Sequence, residues 1–122
     1  MPTIQPGIQR LGNRESSQSS TTEVVIPNIS RTAKVLRIHA YLVSGTGTTV
    51  QPILGRKTDP GAVGNEINQI LLTSAAAHVD EVPAQPIPFT TDATQNLYLR
   101  LQPDHTDANH VIDWELILEP GA

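Results

Sequence analysis

Cysteine is absent from the chain. That excludes disulfide staples, thiolate nucleophiles and cysteine-ligated zinc together, and it fits assembly in a reducing cytoplasm. Aromatic residues are scarce: one Trp, two Tyr and one Phe. Sugar-binding modules usually present several rings to stack on pyranose faces, and here the supply is thin, leaving outward-facing Tyr41 and Tyr98 as a two-tyrosine platform at most. Basic residues neither dominate nor cluster. Eight Lys and Arg stand against twelve Asp and Glu, for a net charge of −4, and neutralising phosphates needs concentrated positive charge, so nucleic acid is not expected as the main ligand. Long apolar runs are missing too. No stretch approaches the roughly 20 residues of a membrane-spanning helix, and the first residues lack the basic start and apolar block of a signal peptide. A soluble protein without membrane partners is expected.

Recognisable catalytic motifs are also lacking. The sequence has no Gly-x-Ser-x-Gly elbow, no phosphate-binding loop and no His-Glu-x-x-His pair. Gly45 and Gly47 precede a strand-like run instead of a helix, so they mark a turn and not a phosphate cradle. The densest set of metal-ligand types is Asp104, His105, Asp107, Asn109 and His110, but it lacks the glycine and terminal glutamate of a calcium loop and reads as a solvated turn. The expectation is a protein with no enzymatic activity, no cofactor and no metal.

What is present is one domain's worth of strand-like sequence. A chain of 122 residues with 38% hydrophobic content supports a single core. Residues 1–20 hold Pro2, Pro6, Gly7, Gly12, Asn13 and the run Ser16, Ser17, Gln18, Ser19, Ser20, a composition that does not build a core alone. They read as a flexible, extended N-terminal arm before a domain spanning 21–122. Arg10 and Arg14 against Glu15 give this arm +1, leaving −5 on the remainder. Ile4, Ile8 and Leu11 would serve it as apolar anchors on a partner, with Arg10 and Arg14 as polar ones.

From residue 21 short runs of Val, Ile, Leu and Thr alternate with Gly, Pro and Asn, the pattern of strands and turns. Residues 22–26 form a strand that stops at Pro27. Residues 33–44 place Leu36, Ile38, Ala40 and Leu42 on one face and Val35, Arg37, His39, Tyr41 and Val43 on the other. The Gly45–Gly47 turn then suggests a hairpin with residues 48–56, with Val50 and Leu54 inward and Pro52 marking an edge or bulge. Residues 66–74 fit helix or strand spacing, and strand is preferred. Residues 76–89 carry three prolines, so they are extended, with Val79 and Val82 in a short strand and Ile87, Pro88 and Phe89 at an edge.

Residues 96–102 put Leu97, Leu99 and Leu101 on one face, and residues 111–118 do the same with Ile112, Trp114, Leu116 and Leu118. These two strands are expected to pair. Six to eight short strands with no βαβ rhythm indicate an all-β fold, an antiparallel β-sandwich of the jelly-roll or immunoglobulin-like kind; without cysteine the disulfide mark of antibody domains is missing, and the jelly roll is preferred. Its outward faces carry Arg37, His39 and Tyr41, then Tyr98 and Arg100, then Asp113 and Glu115. Such recurring opposite charges suit either a solvated face or a subunit interface.

In the segment Asn96-Leu97-Tyr98-Leu99-Arg100-Leu101, in Trp114-Glu115-Leu116-Ile117-Leu118, and in the low-complexity arm before a compact sandwich, the chain resembles the small jelly-roll accessory proteins of tailed bacteriophages, especially capsid decoration (cement) proteins. The resemblance implies a non-enzymatic structural protein on the virion's capsid surface, assembled in the host cytoplasm. It also implies a homotrimer whose arms clamp the major capsid protein. A glycan-binding receptor module, or a head-fibre or tail-tip domain, is the alternative.

Overall fold

The computed structural model describes residues 8–18, 22–26, 31–45, 47–57, 68–92, 94–104 and 110–121. Among these residues there is no helix. Nine strands follow one another: β1 (Gln9–Gln18), β2 (Thr22–Ile26), β3 (Thr32–Ser44), β4 (Val50–Lys57), β5 (Asn68–Leu72), β6 (His78–Glu81), β7 (Ile87–Thr90), β8 (Asn96–Pro103) and β9 (His110–Pro120). They form two antiparallel sheets. One runs β1-β9-β3-β6, with β7 also on β3, and the other runs β2-β8-β4-β5.

The pairing has a simple logic. Strand β1 pairs with β9, β2 with β8, β3 with β6 and β7, and β4 with β5. The chain is therefore one long two-armed ribbon folded back on itself between β4 and β5. Rolling that ribbon up brings β3 against β9 and β4 against β8, closing the two sheets. This is the jelly roll, so the all-β sandwich is as expected.

Neighbours in sequence do not pair as expected. Strands β3 and β4 lie in different sheets, as do β8 and β9, so neither of the two anticipated hairpins forms. Alternation tells which face of a strand is apolar, but a strand that pairs with its neighbour and one that faces it across the core carry the same alternation.

The core lies between the sheets. Ile38, Ala40, Leu97, Leu99, Leu101, Ile112, Leu116 and Leu118 are fully buried, and Leu42 and Trp114 nearly so, each large apolar side chain contributing roughly 1.5–3 kcal/mol. Val50 and Leu54 also point inward. Leu36 does not belong to this set. Val35 pairs with Leu118 and Arg37 with Ile117, so β3 advances two residues while β9 advances one. Leu36 is the extra residue of a β-bulge. Before it the odd positions Ala33 and Val35 face inward, and after it the even positions do. Leu36 is left half-buried.

Pro52 falls where β4 loses its β5 neighbour, while it stays paired with β8 at Leu101. Strand β5 reaches only as far as the Ile53–Leu72 pair, and beyond it the carbonyl of Pro52 accepts a hydrogen bond from Thr73 Oγ1 at 2.7 Å. Phe89 is buried as β7 lies along the start of β3. Val79 is buried within β6, whereas Val82 lies just past that strand and is 66% exposed.

The N-terminal arm is extended, but its residues 9–18 are not free. They form β1, paired with β9 from Gln9–Leu118 to Glu15–Ile112 and again at Gln18–His110, so the sandwich begins ahead of the expected boundary at residue 20. Low-complexity polar sequence suits this place. An edge strand buries one flank only, and polar and charged residues keep its open side from recruiting other strands. Residues 1–7 and 19–21 lie outside the described residues.

At one end of the sandwich, the β3–β4 and β8–β9 connections are tied together. The Asp104 carboxylate accepts hydrogen bonds from the Thr48 amide at 2.8 Å, the Thr48 hydroxyl at 2.7 Å and the Thr49 amide at 3.1 Å. Fully buried His110 accepts from the Gly47 amide through Nε2 at 3.2 Å. Gly45 has φ +129°, and a Cβ there would lie 2.5 Å from His110 Cδ2, so both backbone and packing require glycine.

Candidate interaction surface

The outer face of the β1-β9-β3-β6 sheet is a grid set by register. Across it run three rows: Arg14, Asp113, Tyr41 and His78; then Gly12, Glu115, His39 and Asp80; then Arg10, Ile117 and Arg37. Arginines occupy three of these positions and carboxylates another three, so the face is charge-balanced with both signs interspersed.

Two bidentate pairs anchor it. Arg14 donates to Asp113 at 2.6 and 2.8 Å, and Arg37 donates to Asp80 at 2.7 and 2.9 Å. Arg37 also stands 3.8 Å from Glu115. All five side chains are more than a third exposed, so the pairs add little to stability but hold the guanidinium and carboxylate planes in fixed orientations. The hydrogen bond from Arg37 holds the Asp80 carboxyl below its ordinary range, and that from Arg14 does the same for Asp113. Between these pairs His39 and His78 meet, Nε2 to Nε2, at 2.5 Å, with rings edge-on at 4.6 Å between centroids. The exposed Tyr41 ring packs edge-on against His78 at 5.7 Å.

The expected interface residues thus divide. Arg37, His39, Tyr41, Asp113 and Glu115 share this face. Tyr98 and Arg100 lie on the other sheet, on the far side of the molecule. Tyr98 does point away from the main core, yet it is only 1% exposed, packed with Ile53. It is not a surface ring, and Tyr41 and Tyr98 do not make one platform. The reason is a covering charge cluster. Glu23 lies directly opposite Arg100 and accepts from it at 2.8 and 2.5 Å, while Lys57 passes over the Tyr98 ring, 5.0 Å from its centroid, to reach Glu23 at 2.5 Å. Gly55, opposite Tyr98, puts no side chain in the way. Burial is the largest single influence on the Glu23 carboxyl and opposes its ionisation, but the hydrogen bonds and charges of Lys57 and Arg100 outweigh it and hold the group below its ordinary range.

The expected arm anchors divide as well. Leu11 packs against the core and Arg14 is held by Asp113, so both serve the sandwich itself. Ile8 is 45% exposed and Arg10 is exposed, and both remain open to a partner. Ile4 lies outside the described residues. Glu15, which sequence reasoning treated only as a charge, accepts the indole N–H of Trp114 at 3.1 Å. An open groove at the margin of both sheets is lined by Lys34, Arg56, Pro88 and Phe89, with Arg56 donating to the Thr90 carbonyl at 2.7 Å. In the 104–110 loop, residues 105–109 lie outside the described residues, and Asp104 and His110 act as the structural ties described above. Among the described residues no three His, Asp or Glu side chains gather as a metal-binding group. No protein-family model matches the chain, and no curated protein matches it.

Proposed function

We propose that the chain is a non-enzymatic structural protein of a virus particle, a capsid decoration protein that acts as a homotrimer and binds major capsid subunits on the shell surface. Jelly rolls serve in viral shells and in lectins alike, and architecture alone assigns no function. The observation that carries the reading is the outer face of the β1-β9-β3-β6 sheet. On it Arg14 and Asp113, and Arg37 and Asp80, are held in bidentate pairs across adjacent strands, a surface that offers oriented, mixed-sign recognition of another protein and is poorly suited to polyanions. Exposed Ile8 and Arg10 at its margin extend that surface. The glycan-binding alternative loses the two-tyrosine platform on which it rested.

The test is co-sedimentation with purified shells of the phage that encodes the chain, beside light scattering of the free protein. Saturable binding that is weakened by Arg37→Glu supports the reading. Failure to bind shells, together with a hit on a glycan array, replaces it with the receptor-module reading.

A further inference from the structure

His39 and His78 are brought together by register and not by sequence. His39 lies opposite Asp80 and Tyr41 lies opposite His78, so the two histidines are diagonal neighbours on adjacent antiparallel strands, a separation long side chains bridge easily. Both rings turn the same nitrogen, Nε2, toward a common point, 2.5 Å apart. His78 is exposed and His39 half-buried, so that point is open to solvent.

We propose that His39 and His78 form a two-imidazole chelate for a divalent transition-metal ion on the outer face of this sheet. An ion bound tetrahedrally at Zn–N distances of about 2.0–2.1 Å holds its two nitrogens roughly 3.3 Å apart. Small rotations of two surface rings open the observed contact to that span. Imidazole selects copper, zinc or nickel over calcium and magnesium, with Cu²⁺ bound more tightly than Zn²⁺. In register, His39 stands between Glu115 on β9 and Asp80 on β6, and both carboxylates are engaged by Arg37, so the two ring nitrogens carry the affinity. The edge contact with Tyr41 steadies the His78 ring. Two protein nitrogens leave the remaining positions to water or to a donor from another molecule, so the inference stands independently of the capsid reading.

The test uses the full chain without a polyhistidine tag, titrated with ZnCl₂ and then CuCl₂ by calorimetry, with the histidine ring signals followed by NMR. Saturable one-to-one binding is expected, tighter for Cu²⁺, with the His39 and His78 rings shifting together. His39→Gln and His78→Gln should each weaken it at least about tenfold, the scale reached when even supporting groups of a metal site are removed, while His105→Gln leaves it unchanged. Melting in EDTA checks that each variant folds. If a variant does not, the wild-type ring signals decide. Absence of saturable binding at millimolar Zn²⁺ and Cu²⁺, or binding that moves other histidines and spares these two, overturns the proposal.

Discussion

Asp104 and Thr48, 56 positions apart, are joined twice, amide to carboxylate and hydroxyl to carboxylate. With the Thr49 amide added, the carboxylate takes three donors from the opposite connection. Led by the Thr48 hydroxyl, these bonds lower the Asp104 pKa from 3.8 to about 2. A carboxyl whose folded pKa is depressed stabilises the fold above its unfolded pKa and loses that contribution as pH falls through the folded value. Wild type should therefore melt higher than Asp104→Asn at pH 5 and above, with the gap closing between about pH 4 and pH 2. A gap that stays constant across this range would show that the tie does not depend on charge.

The β3 bulge predicts unequal costs for two leucines. Leu99 is fully buried, and Leu99→Ala should cost roughly 2–5 kcal/mol. Leu36 is the half-buried extra residue, and its truncation should cost less than about 1.5 kcal/mol. Urea midpoints at constant m-value measure both. Equal losses would return Leu36 to the core and remove the bulge.

Glu23 neutralises two cations at once, Lys57 at 6% and Arg100 at 19% side-chain exposure. Glu23→Gln keeps the shape but leaves two cations that shared one carboxylate without it, and should cost roughly 1–3 kcal/mol after allowing for partial solvent access. Lys57→Met in the Glu23→Gln background should recover part of that loss. A double variant no more stable than the single would mean that packing, and not uncompensated charge, governs the cluster.

A chain beginning at residue 19 lacks β1. It uncovers the open flank of β9, the side of Leu11's core contact and the partner of the Trp114 indole. The expected result is a loss of roughly 3 kcal/mol or more or a shift to aggregates through the bared edge. Removing residues 1–7 alone serves as the comparison. A melting midpoint unchanged by the longer deletion would restore the picture of a dispensable arm.

Much of the fold was legible because period-two alternation marks any strand with one buried face. Leu97, Leu99 and Leu101, and Ile112, Trp114, Leu116 and Leu118, declared their inner faces in this way. Partner choice was hidden, since β8 and β9 display identical patterns whether they pair or face each other. One inserted residue at Leu36 inverted the reading of the start of β3. Polar β1 looked like a leader, as an edge strand needs so few apolar side chains. Of the candidate surface, the charged residues of β3 and β9 were visible as outward positions. The contributions of β1 and β6, Arg14 to Asp113, Asp80 to Arg37 and His78 to His39, depend on strands far apart in sequence and emerge only with the register.

The mirrored ribbon also bears on how the chain reaches this state. Joining β1 to β9 directly closes a loop of about a hundred residues, whereas β4 and β5 are separated by ten. By logarithmic loop-closure scaling that difference is roughly 2 kcal/mol of chain entropy. Zipping outward from the central bend removes most of it, because each formed pair leaves the next pair's ends already close. Folding is then expected to proceed from the middle of the chain toward its ends, in the millisecond-to-second range of non-local β topologies. The strands that arrive last in this order, β1 and β9, carry Arg10, Arg14, Asp113 and Glu115 of the interaction surface, so that surface is complete only once the rest of the molecule is in place.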